Sequence, residues 1–132
     1  MAKKVIIPKN VFDSRKDLFY SQAIRAGNTI YVSGQVSVDE KGHLMARGDF
    51  EGQVRQSLEN IERILKAGGA KMTDIVKLNM YLKDERYLRR KGFYEALREF
   101  FGDWIPTNTA VQVVSLYGTD LLIEIEAIAV VD

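Results

Sequence analysis

Ile105–Val131, IPTNTAVQVVSLYGTDLLIEIEAIAVV, is the stretch from which the fold of this chain is read. Pro106 fixes its own φ and drives Ile105 towards extended backbone, which marks the start of a strand. Val111 and Val113 alternate with Gln112 and Val114 before a Tyr117-Gly118-Thr119-Asp120 turn. In the strand that follows, Ile123, Ile125, Ala127 and Ala129 share one face, and Leu122, Glu124, Glu126, Ile128 and Val130 share the other. A charge is costly to bury unless it is paired or hydrogen-bonded. The face that carries Glu124 and Glu126 is therefore expected to meet basic partners, another subunit or a ligand.

Towards the N-terminus, Phe19–Ala26 and Thr29–Gly34 read as the arms of a hairpin with Gly27-Asn28 as its turn. Asp39-Glu40-Lys41-Gly42 marks a second turn. The spacing of Phe50, Val54, Leu58, Ile61 and Leu65 predicts a helix over Phe50–Ala67, with Asp49 as its N-cap and Gly68-Gly69 as its stop. Ile75–Lys83 is expected to be a strand. Val76, Leu78, Met80 and Leu82 form its wholly apolar face, and Ile75, Lys77, Asn79 and Tyr81 its mixed face. A second helix is expected over Glu85–Phe101, burying Leu88, Tyr94, Leu97 and Phe101 and ended by Gly102. Linkers, low-complexity runs and long-period repeats are absent.

This order of elements describes an α+β fold, one domain over residues 1–132, with two helices on one face of a sheet. Two helices cover only one face, so the wholly apolar side belongs beneath them. The opposite face carries Ile75, Tyr81, Leu122 and Ile128 among Lys77, Asn79, Glu124 and Glu126. Symmetric association would bury that mixed surface and let its charges pair.

The composition narrows the function classes. The 132 residues hold 46% hydrophobic and 28% charged side chains, an ordinary balance for a soluble domain. Nineteen basic against eighteen acidic residues leave a net charge of +1, so no global field attracts nucleic acid. Arg86, Arg89, Arg90 and Lys91 alternate with Asp84, Glu85 and Glu95, which reads as a solvated helical face rather than an RNA-binding patch. With no cysteine, thiolate metal sites and cysteine nucleophiles are excluded. The lone His43, in a turn after Gly42, makes neither a metal site nor a catalytic triad. No metal and no nucleotide cofactor is expected, because the glycines form no phosphate loop. Val5-Ile6-Ile7 is too short for a signal-peptide core and no run reaches membrane-spanning length, so a cytoplasmic protein without membrane contact is expected.

Glu124-Ile125-Glu126-Ala127-Ile128-Ala129, Tyr20-Ser21-Gln22-Ala23, Ser33-Gly34-Gln35, Gln56-Ser57-Leu58-Glu59-Asn60 and Tyr94-Glu95-Ala96 follow one another in an order that closely resembles the RidA (YjgF-type) family. The resemblance runs from about Phe19 to Val130. It implies a homotrimer with a small-ligand cleft between subunits. It also implies hydrolysis of 2-imino and 2-enamino acids to keto acids, without cofactor or metal. The chain departs from the pattern in three places. Pro106-Thr107-Asn108 stands where the family's deaminases carry Pro-Ala-Arg, the Tyr117–Asp120 turn is one residue longer, and Leu18-Phe19 replaces Gly-Pro.

By the residues alone, Glu124 and Glu126 read as interface ion-pair formers, Tyr20 as a packed tyrosine, and Gly34 as either a bulge or a point of close backbone approach. The resemblance assigns Glu124 to the hydrolytic water, Tyr20 to the cleft mouth and Gly34, Asn108 and Lys91 to substrate binding, and it leaves Glu126 structural. Arginine holds a carboxylate through two charge-assisted hydrogen bonds, whereas asparagine brings no charge. Lys91 is then the candidate to restore the cation, with a solvated lysine as the alternative. The function expected is imine or enamine deamination, weak on free 2-imino acids. The alternatives are a metabolite-sensing trimer and, less favoured, an endoribonuclease or translation inhibitor.

Overall fold

The alternating apolar residues of the tail become the strand on which the sheet is centred. The computed structural model describes residues 2–132. Its strands are β1 (Lys3–Ile6), β2 (Ala23–Ala26), β3 (Thr29–Gln35), β4 (Ile75–Leu82), β5 (Thr107–Gln112) and β6 (Ile123–Val130), with helices α1 (Phe50–Ala67) and α2 (Lys91–Phe101). The sheet order is β1-β2-β3-β6-β4-β5. β6 pairs antiparallel with β3 and β4, and β5 runs parallel to β4 at the edge. β3 and β4 therefore point the same way, and both α1 and α2 are crossover helices between parallel strands. Successive right-handed crossovers in one direction place both helices on the same face.

That face is the core. Ile123, Ile125, Ala127 and Ala129 of β6 are buried with Leu78, Met80 and Leu82 of β4, beneath Val54, Leu58, Ile61 and Leu65 of α1 and Phe93 and Ala96 of α2. Each fully buried large apolar side chain contributes roughly 1.5–3 kcal/mol over its exposed state. Phe50 stacks on Tyr87, in the turn before α2, at 4.1 Å between ring centroids and meets Phe93 of α2 at 5.7 Å.

α1 begins and ends where its sequence says. The Asp49 carboxylate accepts the Gly52 N–H, and the Gly68 N–H returns to Ile64 and Leu65. Gly69 follows at φ +83°, and Arg25 donates to the Gly68 carbonyl at 2.8 Å, closing the helix end against the β2–β3 turn. Asp49→Ala should lower the unfolding free energy by about 1 kcal/mol, read as a shift in urea midpoint at unchanged m.

Four expectations need correction. β1 was not foreseen: Lys3–Ile6 pairs with β2, although three of its four side chains are exposed. The hairpin arm expected from Phe19 is shorter, because Phe19 has φ +56° and the ladder starts at Ala23. On β4 the first residues exchange faces: Ile75 is buried and Val76 is 39% exposed, since the register slips between Ile75 and Lys77. A one-residue slip inverts facing. The second helix is broken, with a 3-10 turn over Glu85–Arg89 and α2 starting only after extended Arg90. The phase of Leu88 therefore does not carry into α2. Phe93 and Ala96 take the core, and Tyr94 is left 52% exposed.

Three of the four residues of the basic cluster have acidic partners. Arg86 pairs with Asp84, Arg90 with Glu51 at 3.2 Å while lying over the Tyr87 ring, and Lys91 with Glu95 at 3.6 Å. No helix among the described residues is long and apolar enough to cross a membrane. No group of three or more metal-ligating side chains is assembled among them.

Candidate functional site

β3 slips register against β6 between Val32 and Gln35, so Ser33 and Gly34 form a bulge opposite Glu126. Ser33 turns instead to the segment before β2, its N–H reaching the Gln22 carbonyl at 2.9 Å and its hydroxyl the Ser21 carbonyl at 2.7 Å. Gly34 is both of the things its sequence allowed, a bulge residue and a point of close approach. A Cβ there would lie 2.7 Å from the carboxyl carbon of Glu124 and 3.0 Å from its Cγ. The missing side chain is the space that Glu124 occupies.

The two glutamates of β6 share a face but not an environment. Glu126 accepts from Asn79 Nδ2 at 3.1 Å and from the Tyr81 hydroxyl, so its charge is held by neutral donors. That hydrogen bond also raises the Tyr81 phenol above its ordinary range. Glu124 is half-buried beside Gly34, and desolvation pushes its carboxyl above the usual value, with the like charge of Glu126 adding to the shift. A group so placed takes up and gives back a proton nearer neutrality than an exposed carboxylate.

Tyr20 lies between two depressions. It shares a cavity of about 260 Å³ with Phe12, Leu18, Gly34, Lys41 and Tyr117. It also borders a shallower one of about 330 Å³ with Tyr31, Ser33 and Glu126. The residue before it, Phe19, is 97% exposed and held in the left-handed region at φ +56°. A bulky residue rarely adopts that conformation, and such strain concentrates at functional surfaces.

Asn108 is elsewhere. It is paired in register with Leu78, and its side-chain amide points to Met80 Sδ at 3.6 Å, on the helix-covered side of the sheet. Glu124 is on the other side, in register with Tyr81. Lys91 is in the helical layer with Glu95, its side chain 91% exposed. Within one chain, therefore, Gly34 lies against the Glu124 side chain and shares a cavity with Tyr20, whereas Asn108 and Lys91 lie apart from them.

Sequence reasoning missed what holds the Tyr117–Asp120 turn. Gln53, fully buried on α1, donates to the Asp120 carbonyl at 2.9 Å and accepts the Leu122 N–H at 2.8 Å. Arg47 pairs with the Asp120 carboxylate at 2.5 Å, and Lys83 Nζ reaches the Thr119 carbonyl at 2.7 Å. Leu122 is two residues from Glu124, so Gln53 sets the start of the strand that carries the carboxylate. A glutamine within an apolar helical stripe was the available signal.

Known proteins resemble this chain over most of its length. The family described as Endoribonuclease L-PSP matches residues 16–131. A RutC family protein of Pyrococcus horikoshii is 44% identical over 110 residues, 83% of this chain and 85% of the relative. The 2-iminobutanoate/2-iminopropanoate deaminase of Escherichia coli K12 is 40% identical over 113 residues, 84% of this chain and 86% of the enzyme. A crystal structure of E. coli TdcF with bound serine superposes with a TM-score of 0.84 at 32% identity, covering 98% of this chain and 100% of that one.

Proposed function

Because the chain belongs to the RidA (YjgF-type) family, the one described as Endoribonuclease L-PSP, we propose that it hydrolyses 2-imino or 2-enamino compounds to carbonyl products and ammonia. The observation that carries this reading is the half-buried Glu124 against Gly34, with its raised proton affinity. Water adds to the imine carbon while one of its protons passes through the Glu124 carboxylate to the imine nitrogen, giving a neutral carbinolamine. The same carboxylate then takes the carbinolamine hydroxyl proton and passes it to the amino nitrogen, so that the C–N bond breaks, ammonia leaves and the carbonyl forms. An imine is already electrophilic, so the reaction needs only an acceptor close to the water. Relatives named as 2-iminobutanoate/2-iminopropanoate deaminases support the reaction class.

The working form in this reading is a cytoplasmic homotrimer. Asn108 and Glu124 lie on opposite sides of one sheet, so a cleft that contains both takes them from two copies. Sedimentation at low micromolar concentration should give one species of three times the chain mass, and a folded monomer would remove the shared cleft. The chemistry is tested by generating 2-iminopropanoate in a coupled assay and following keto-acid release over the uncatalysed background.

The absence of an arginine at Asn108 favours a second reading, a trimer that binds a small polar metabolite without turning it over. Protein that is inert in the coupled assay but gains thermal stability with a metabolite would select it.

A further inference from the structure

We propose that the cavity between α2 and β5 binds carboxylic acids with a bulky apolar side chain, and that Arg98, with Asn108, holds the carboxylate. This deepens the reading above and rests on it for the chemistry, though not for binding. The cavity measures about 250 Å³. Its walls are Leu78, Met80, Leu97, Phe101, Trp104 and Ile105. It is smaller than the ~300–1,000 Å³ usual for drug-sized ligands, which suits a body the size of an amino-acid skeleton.

Tyr94, Leu97, Arg98 and Phe101 stand on one stripe of α2, at the spacing that brings helix side chains together. Tyr94, expected in the core, borders this cavity instead. Most polar groups around it are already engaged. The Trp104 indole N–H donates to the Ile75 carbonyl at 2.7 Å, and the Tyr94 hydroxyl to the Leu88 carbonyl at 2.6 Å. The acidic neighbours of Arg98 on the helix are taken as well, Glu95 by Lys91 at 3.6 Å and Glu99 by Arg55 at 2.9 Å. Arg98 is left with no carboxylate partner among the described residues. The Asn108 amide has only the weakly accepting sulfur of Met80.

A free guanidinium and a free amide at the rim of an apolar cavity match a carboxylate head on an apolar body. The guanidinium supplies the paired, charge-assisted hydrogen bonds that an asparagine cannot. The cation missing at position 108 is thus present in the same cavity, on the helix rather than on the strand. Lys91 does not border that cavity and is spent on Glu95.

Titration calorimetry on the full chain with 4-methyl-2-oxopentanoate, its neutral amide and pyruvate tests this. Wild type should bind 4-methyl-2-oxopentanoate at least tenfold more tightly than pyruvate. Arg98→Gln should weaken the acid roughly ten- to hundredfold, the range of a charge-assisted contact, and leave the amide unchanged. Asn108→Arg in the Arg98→Gln background should restore the acid. Equal affinities in wild type and Arg98→Gln, or no binding of the acid at millimolar concentration, would overturn the proposal. Ile105 is 85% exposed at the rim. If Ile105→Glu dissociates the oligomer and wild type binds no acid, a second copy fills the cavity and the proposal falls. Binding needs no turnover, so the two readings fail separately. Intact acid binding without imine hydrolysis sinks only the deaminase. Intact hydrolysis with Arg98→Gln indistinguishable from wild type in binding sinks only the Arg98 site.

Discussion

Glu124→Gln should lower kcat/KM on imine substrates by about 10²–10⁴-fold, the usual contribution of a positioned acid–base group, while making the folded protein more resistant to heat at pH 7. The two effects have one cause. Desolvation beside Gly34, and after it the charge of Glu126, raises the Glu124 carboxyl in the folded state. The folded chain then binds its proton more tightly than the unfolded chain. Stability contributed by this group is present below the ordinary carboxylate range and is lost as pH rises through the raised value. Above that window wild type carries a half-buried charge that glutamine does not. The melting-temperature gain of Glu124→Gln should therefore be largest near neutrality and vanish in acid, where Glu124 is protonated in both states. Catalysis runs the other way. A general base must be ionised, so wild-type kcat/KM should rise with pH through the same raised value. Parallel melting curves and pH–rate profiles check both. A variant that loses activity but gains no stability at pH 7 would mean that a neighbouring copy's cation already neutralises Glu124.

Gly34→Ala should lower kcat/KM by about 100-fold, the cost of misplacing a reacting group by an ångström, with little change in melting temperature. The added Cβ would stand 2.7 Å from the Glu124 carboxyl carbon. The obstructing atoms are the far end of a flexible side chain, so the carboxylate swings aside and the backbone does not have to move. Gly34 is also not held at positive φ, so alanine brings no backbone strain there. Folding tolerates the change, and the position of the carboxylate does not. Equal activity in Gly34→Ala and wild type would remove Glu124, in its observed orientation, from the chemistry. A large fall in melting temperature would instead assign Gly34 a structural role.

The elements that were legible in the sequence are those in which local pattern and tertiary demand agree. Period-two alternation placed β6 and its two faces without error, because this strand lies at the centre of the sheet with one side wholly buried. The α1 stripe, its Asp49 cap and its glycine stop were equally plain, since each is decided within one or two turns of chain. The family motifs named Glu124 and Gly34 together, and the structure puts them in contact.

What the sequence could not determine are the positions where backbone geometry changes phase. The slip at Ile75–Lys77 exchanges the faces of two residues, and extended Arg90 resets the helical stripe so that Phe93 replaces Tyr94 in the core. β1 forms with little apolar signal because its strength comes from pairing with β2. Nor does sequence spacing say which side of a sheet an edge-strand side chain takes. Asn108 and Glu124 were read as parts of one cleft between subunits, and the parallel register of β5 with β4 turns Asn108 towards Met80 and Arg98's cavity, on the other side of the sheet from Glu124. The chain alone determined the fold class and the family, because these depend on periodicity and short motifs. The three-dimensional arrangement alone decided that Gln53 anchors the β6 start and that Arg98 shares a cavity with Asn108, because both depend on contacts between segments far apart in sequence.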